Sequence, residues 1–188
     1  MTLSLLALCC ACSFTSIATE EPQENCSIQN SSLHQHLCDK LFALLETAPK
    51  DCLKHSLQCA SIALKENEDE RMVLAALFHS IGHIQQRKSS YVCSLDQCKA
   101  SAETLRSYGI SEYVCQLILG HFQVARYLKA KDSSMSPEEA VLFENDPLFN
   151  EKMRLWQLHE QSQLETSALP LSLYKDLPIR HLNNRISP

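Results

Sequence analysis

Glycine is scarce in this chain: three residues in 188, at positions 82, 109 and 120. That argues against folds built on glycine turns, such as β-sandwiches and propellers. It also argues against a P-loop or a dinucleotide fingerprint, which need clustered glycines where backbone approaches phosphate. Surplus positive charge is missing too. With a net charge of −5 the chain offers little to a nucleic-acid backbone, and no nucleic-acid partner is expected. No segment keeps up the apolar–polar alternation of a strand, and there is no internal repeat or low-complexity linker. The length suits one domain with its own core. What stands in excess is cysteine, with 10 residues, and histidine, with 8.

Met1 to Ala18 carries no charged side chain and runs apolar and small. Ser16 and Ala18 suit the −3 and −1 positions of a signal-peptidase cut, although the usual basic residue before the apolar stretch is absent. A bilayer span needs about 17 apolar residues or more. This stretch barely reaches that and is diluted by Ser and Thr, so no stable membrane span is expected. Residues 1–18 are read as a cleaved signal, with an anchor or a retained N-terminus as alternatives. Residues 19–37 then form an extension with sequons at Asn25 and Asn30, and 38–188 form the folded domain. The expected location is the secretory pathway or outside the cell, the alternative the cytoplasm. A cut after Ala18 removes Cys9, Cys10 and Cys12 and leaves an odd number of cysteines. Cys52 and Cys59 sit seven apart on one helical pattern, about 10 Å from each other and too far to bridge. Cys93 and Cys98 are closer, but spacing alone does not pair them. For most of these cysteines, small buried hydrophobes are at least as good a reading.

From residue 30 onward the pattern is helical, and about seven helices are expected in one all-α domain. Leu33, Leu37, Leu41, Leu44 and Leu45 recur at helical spacing. Pro49 and Asp51 open a second helix. Met72 to Phe78 is apolar on all sides and reads as a buried helix. A helix from Ser94 closes at Gly109, and Ser111 is an N-cap candidate for the next. Ser136-Pro137-Glu138-Glu139 is a cap, a proline and two acids at a helix start. Asp146-Pro147 opens another helix. The tail from Leu169, with Pro170 and Pro178, is expected to wrap the surface.

Four histidines sit at helix ends or on apolar faces. His55 lies near the start of the second helix, and His79 closes the buried helix. His83 follows Gly82, and His121 follows Gly120. A single such histidine is usually a hydrogen-bonded core residue. Several on neighbouring buried helices point to metal, because imidazole is the commonest metal ligand. The remaining features have plainer readings. Trp156 is expected to pack, Lys65 to Arg71 to be a solvated turn, and His34 and His36 to lie on the surface. His159 and His181 have no motif around them.

Val73-Leu74-Ala75-Ala76-Leu77-Phe78-His79-Ser80-Ile81-Gly82-His83 resembles the signature of HD-domain proteins, a buried helix ending in His-Asp-Ile-Gly-His. His55-Ser56-Leu57-Gln58-Cys59-Ala60 resembles the helix that precedes it. Gly120-His121-Phe122-Gln123-Val124-Ala125-Arg126-Tyr127-Leu128 and Met135-Ser136-Pro137-Glu138-Glu139-Ala140, with Phe143-Glu144, resemble two later motifs. In this order they are similar to the HD-domain diiron oxygenases that cleave organophosphonates, distant relatives of myo-inositol oxygenase. The resemblance implies an HD-like helical bundle. By position it makes His55, His79 and His121 metal ligands and His83 a substrate contact. It also shows what is gone. Ser80 stands where the bridging Asp should be, and Gln97 falls near the next ligand His. Gln157-Leu158 replaces an Asp pair, Leu45 a tyrosine, Ala48 a nearby Glu, and Ala125 the lysine that would hold phosphonate. Two irons without a bridging carboxylate would be left poorly compensated.

The resemblance therefore implies an HD scaffold without its oxygen chemistry: a non-catalytic protein used for binding, with no cofactor and an unknown small molecule or protein as partner. The alternative is a mononuclear hydrolase or oxygenase holding one Fe, Mn or Zn ion through His55, His79 and His121. The N-terminal reading has a direct check. Sequencing of protein collected from the medium of secreting cells should begin at Thr19; a chain beginning at Met1 would remove the signal.

Overall fold

A computed structural model of the chain describes residues 23–86, 94–129 and 135–184. The expected signal segment and Cys93 lie outside them, and so do the side chains of Asn25 and Asn30. The fold is all-α. Its helices are α1 (Gln23–Glu46), α2 (Lys50–Lys65), α3 (Glu70–Phe78), α4 (Ile81–Gln86), α5 (Leu95–Ser107), α6 (Glu112–Leu128), α7 (Pro137–Glu144), α8 (Phe149–Ser162) and α9 (Leu177–Asn184). A 3-10 turn, Leu171–Tyr174, precedes α9. Among the described residues the count exceeds the expected seven because α4 and α9 are short helices of their own.

The whole bundle forms around α3. Every residue from Met72 to Phe78 is buried, as its unbroken apolar run demands. Asp69 caps the helix by accepting the Met72 N–H at 2.8 Å. Helices α2, α6, α8 and α9 pack around α3. Fully burying side chains such as Leu74, Leu77 and Phe78 contributes about 2–3 kcal/mol each.

The expected helix starts are present, with two differences. Ser94 and Gln97 form a reciprocal capping box on α5, and Ser136 and Glu139 form one on α7. Ser111 stands at the α6 N-cap, but its hydroxyl caps nothing. Instead the Nε2 of His181 accepts the Ser111 backbone N–H at 3.1 Å. Helix α8 begins at Phe149, after a turn in which Asp146 Oδ1 accepts the Leu148 N–H at 2.8 Å.

The tail does not wrap the surface as expected; it completes the core. Tyr174 is fully buried, and its O–H donates to Ser61 Oγ at 2.9 Å. Ser61 also accepts the Leu169 N–H at 2.8 Å, which ties the chain to α2. Pro178 fits the first turn of α9, where a missing N–H costs nothing. Helix α9 then buries Leu177 and Leu182 and packs on α1 and α3. Cys38, Cys52 and Cys59 are free thiols. Burial pushes the Cys59 thiol well up and that of Cys38 to about 11, so both behave as small hydrophobes.

Two glycines are required by close approach. A Cβ on Gly82 would run into the Gln97 carbonyl and lie 2.8 Å from the Ser101 amide, because α4 lies against α5. At Gly120 a Cβ would strike the stem of Lys152, which crosses α6 there. The Lys152 ammonium is bonded to Asp146 at 2.6 Å and to Gln123 at 3.3 Å. The obstacle at Gly82 is backbone, while that at Gly120 is a side chain with rotatable bonds. In urea titrations Gly82→Ala should therefore cost about 1–3 kcal/mol, and more than Gly120→Ala.

Candidate metal centre

Helix α3 and its neighbours α2, α6 and α8 each bring one imidazole to the same region. His55 comes from the second turn of α2, and His79 is the C-cap residue of α3. His121 follows Gly120 in α6, and His159 lies in the last turn of α8. Three ring nitrogens form a triangle. His55 Nε2 is 3.2 Å from His79 Nε2 and 3.0 Å from His159 Nδ1, and His159 Nδ1 is 3.4 Å from His79 Nε2.

Hydrogen bonds fix the tautomers of two corners. His79 Nδ1 lies 2.8 Å from the Ala76 carbonyl, which only accepts, so Nδ1 carries the proton and Nε2 a lone pair. The Ser162 hydroxyl spends its proton on the His159 carbonyl at 2.7 Å. It therefore accepts from His55 Nδ1–H at 3.1 Å, and His55 Nε2 also carries a lone pair. Gln163 Nε2 donates toward His159 Nε2 at 3.3 Å, which leaves the His159 proton on Nδ1. One proton thus serves two lone pairs that face each other.

Such a triangle suits a cation. A tetrahedral ion at about 2.0–2.1 Å from each nitrogen sets them about 3.3 Å apart. Among the described residues no carboxylate belongs to the group, which is consistent with a single divalent ion.

His121 stands beside the triangle. Its ring stacks on His79 with centroids 5.4 Å apart, meets His159 edge-on at 4.7 Å and leans on Trp156 at 4.8 Å. It is 1% exposed, and neither ring nitrogen has a hydrogen-bond partner. An orphaned buried donor costs about 1–3 kcal/mol.

Every imidazole here is held neutral. Burial, then repulsion from His83, lowers His55 to about 4. Burial, then His55 and His83, lowers His159 to about 3. Burial and the neighbouring rings take His79 and His121 well below the ordinary range. Neutral imidazole is the ligating form.

The remaining expected site residues point elsewhere. Ser80 is hydrogen-bonded to Ser56 at 2.6 Å, hydroxyl to hydroxyl, in the buried interior. The Gln97 side chain caps α5, with its amide nitrogen 3.4 Å from His83 Nδ1. His83 is buried beside the cluster, and burial lowers its pKa. Gln157 is exposed and accepts from Arg154 at 3.4 Å. Leu45 is core, and Ala125 is buried on α6. His159 carried no motif, yet it completes the triangle. A trace exists in the spacing: Leu155, His159 and Ser162 fall on one buried stripe of α8.

A cleft of about 390 Å³ opens beside His55. It is lined by Asp51, Lys54, Gln58, Ser162, Gln163 and Glu165 as well. Ser162 and Gln163 also touch the cluster, so this cleft adjoins the triangle.

Residues 52–149 match the family model of the HD domain, just over half of the chain. The chain belongs to the HD domain family. His55, His79, Ser80, His83 and His121 lie within the matched HD segment, and His159 lies beyond it. One relative of this HD protein is an uncharacterized protein of Acanthamoeba polyphaga mimivirus. It is 26% identical over 156 residues, covering 70% of this chain and 71% of the viral protein.

The depressed pKa values make metal-free stability pH-dependent. An unfolded imidazole titrates near 6.5 and a buried one lower, so the unfolded chain takes up protons first on acidification. Stability is complete above about pH 6.5 and falls toward pH 4. His159 alone should account for about 2 kcal/mol between pH 8 and pH 5. Urea unfolding of chelator-treated protein at the two pH values measures this, and His159→Gln should flatten the dependence.

Proposed function

We propose that this HD protein holds a single zinc ion through His55 Nε2, His79 Nε2 and His159 Nδ1, in a mononuclear site of hydrolytic type. The observation that carries this reading is the triangle of nitrogens, 3.0 to 3.4 Å on a side, with the lone pairs of His55 Nε2 and His79 Nε2 turned inward. Imidazoles suit zinc and iron, whereas manganese favours oxygen ligands, so manganese leaves the set of expected ions. Three protein ligands with one position open is the pattern of catalytic zinc sites.

Zinc there would supply Lewis acidity and a water acidified toward neutral pH. The chain supplies the rest. The Ala76 carbonyl and the Ser162 hydroxyl hold two ligand rings in their tautomers. The cleft beside His55 admits a small polar ligand, and Lys54 on its rim offers an ammonium to an anionic group. Gln58, tethered to the Glu165 carbonyl, shapes the wall.

Other positions support the loss of the dinuclear oxygenase chemistry that the sequence resembles. The Ser80 hydroxyl is engaged with Ser56, Gln157 is turned to solvent, and Ala125 offers no cation. In this reading the protein is a non-catalytic relative with respect to phosphonate oxidation and keeps one metal.

Elemental mass spectrometry of the purified protein tests the proposal. One equivalent of zinc is expected. His159→Ala should fall below a tenth of an equivalent, whereas His121→Ala should keep more than half. Loss in His121→Ala with retention in His159→Ala would replace the triangle by the ligand set expected from sequence. No uptake in wild type, even after zinc titration, sinks the metal reading.

A further inference from the structure

The three-imidazole set has an electrostatic gap. Neutral ligands leave the charge of a divalent ion uncompensated, and the position that should carry a bridging carboxylate is Ser80. Among the described residues, Glu160 places the one carboxylate within 4.0 Å of a cluster imidazole, with its Oε1 4.0 Å from His159 Nε2. Gln163 lies alongside. Its Nε2 is 3.3 Å from His159 Nε2 and donates to Glu160 Oε1 at 3.3 Å.

This arrangement suits His159 only while its proton is on Nδ1. Once Nδ1 ligates a metal, the ring proton belongs on Nε2, and the Gln163 amide then points an N–H at an N–H. Turning the amide over would set its oxygen against the Glu160 carboxylate. The cheaper solution is for Glu160 to close from 4.0 Å to hydrogen-bond distance. Its side chain is 52% exposed, so little packing opposes the move. A carboxylate behind a ligating imidazole fixes the ring, raises its basicity and offsets the metal charge.

We propose that Glu160 is the positioning residue of the metal site, accepting the His159 Nε2 proton and supplying one shell out the negative charge that Ser80 cannot. The inference rests on the mononuclear zinc reading. Glu160 touches no substrate and acts through His159.

Calorimetric zinc titration of the full chain separates the possibilities. Glu160→Gln should weaken zinc about 10- to 100-fold. Gln163→Leu should stay within fivefold of wild type, because it removes only a competing donor. The thermal midpoint of the metal-free protein should not change in Glu160→Gln, since the residue is exposed. In zinc-loaded protein, the His159 Nε2–H proton resonance should move upfield in Glu160→Gln, which a merely structural role would not cause. A Glu160→Gln affinity within fivefold of wild type overturns the proposal. So does a larger fall in Gln163→Leu, which would make the amide the acceptor. If wild type binds no zinc, the metal site itself is wrong; if wild type binds and Glu160→Gln binds equally, only the role of Glu160 is.

Discussion

Lone pairs facing one another among packed, neutral rings are the constraint on which this structure turns. Imidazoles from three helices converge with their nitrogens 3.0 to 3.4 Å apart, and burial keeps them neutral. Neutral rings packed this closely cannot all be satisfied by protons. The arrangement is held from outside by the Ala76 carbonyl and the Ser162 hydroxyl, and beneath it by the apolar body of α3. Much of the surrounding architecture serves to keep these rings in register. Ser101, for example, bonds both the His79 carbonyl at 3.0 Å and the Gly82 amide at 2.8 Å, fixing the bend that carries His79 and His83.

The polar residues buried around the cluster have partners of their own. Ser80 and Ser56 satisfy each other as a neutral buried pair. Gln97 divides its amide between capping α5 and approaching His83. Buried polar groups with partners keep the interior specific without the cost of an uncompensated carboxylate.

Much of this was readable in the sequence, for physical reasons. Helices announced themselves through periodicity, and the cap at Ser136 through local chemistry. The apolar run of α3 marked its own burial. His55, His79, His83 and His121 drew notice because contiguous motifs surround them. His159 did not, because its meaning lies in a partner 104 residues away. The tail misled for a similar reason. Two prolines suggested a surface strap, whereas the fate of the segment was decided by Tyr174 finding Ser61 across 113 residues. Local signals carry local structure, and tertiary pairing over such distances leaves little trace in composition.

The spread of the ligands along the chain bears on how the protein is made. His55 and His79 emerge early in synthesis, but the triangle lacks a corner until α8 has followed them. The segment that anchors α2 from the far side, with Leu169 and Tyr174 on Ser61, comes later still. A growing chain thus presents two histidines without the pocket that selects their ion. In the proposed reading, loading must await the folding of α8, whose His159 lies 80 residues after His79.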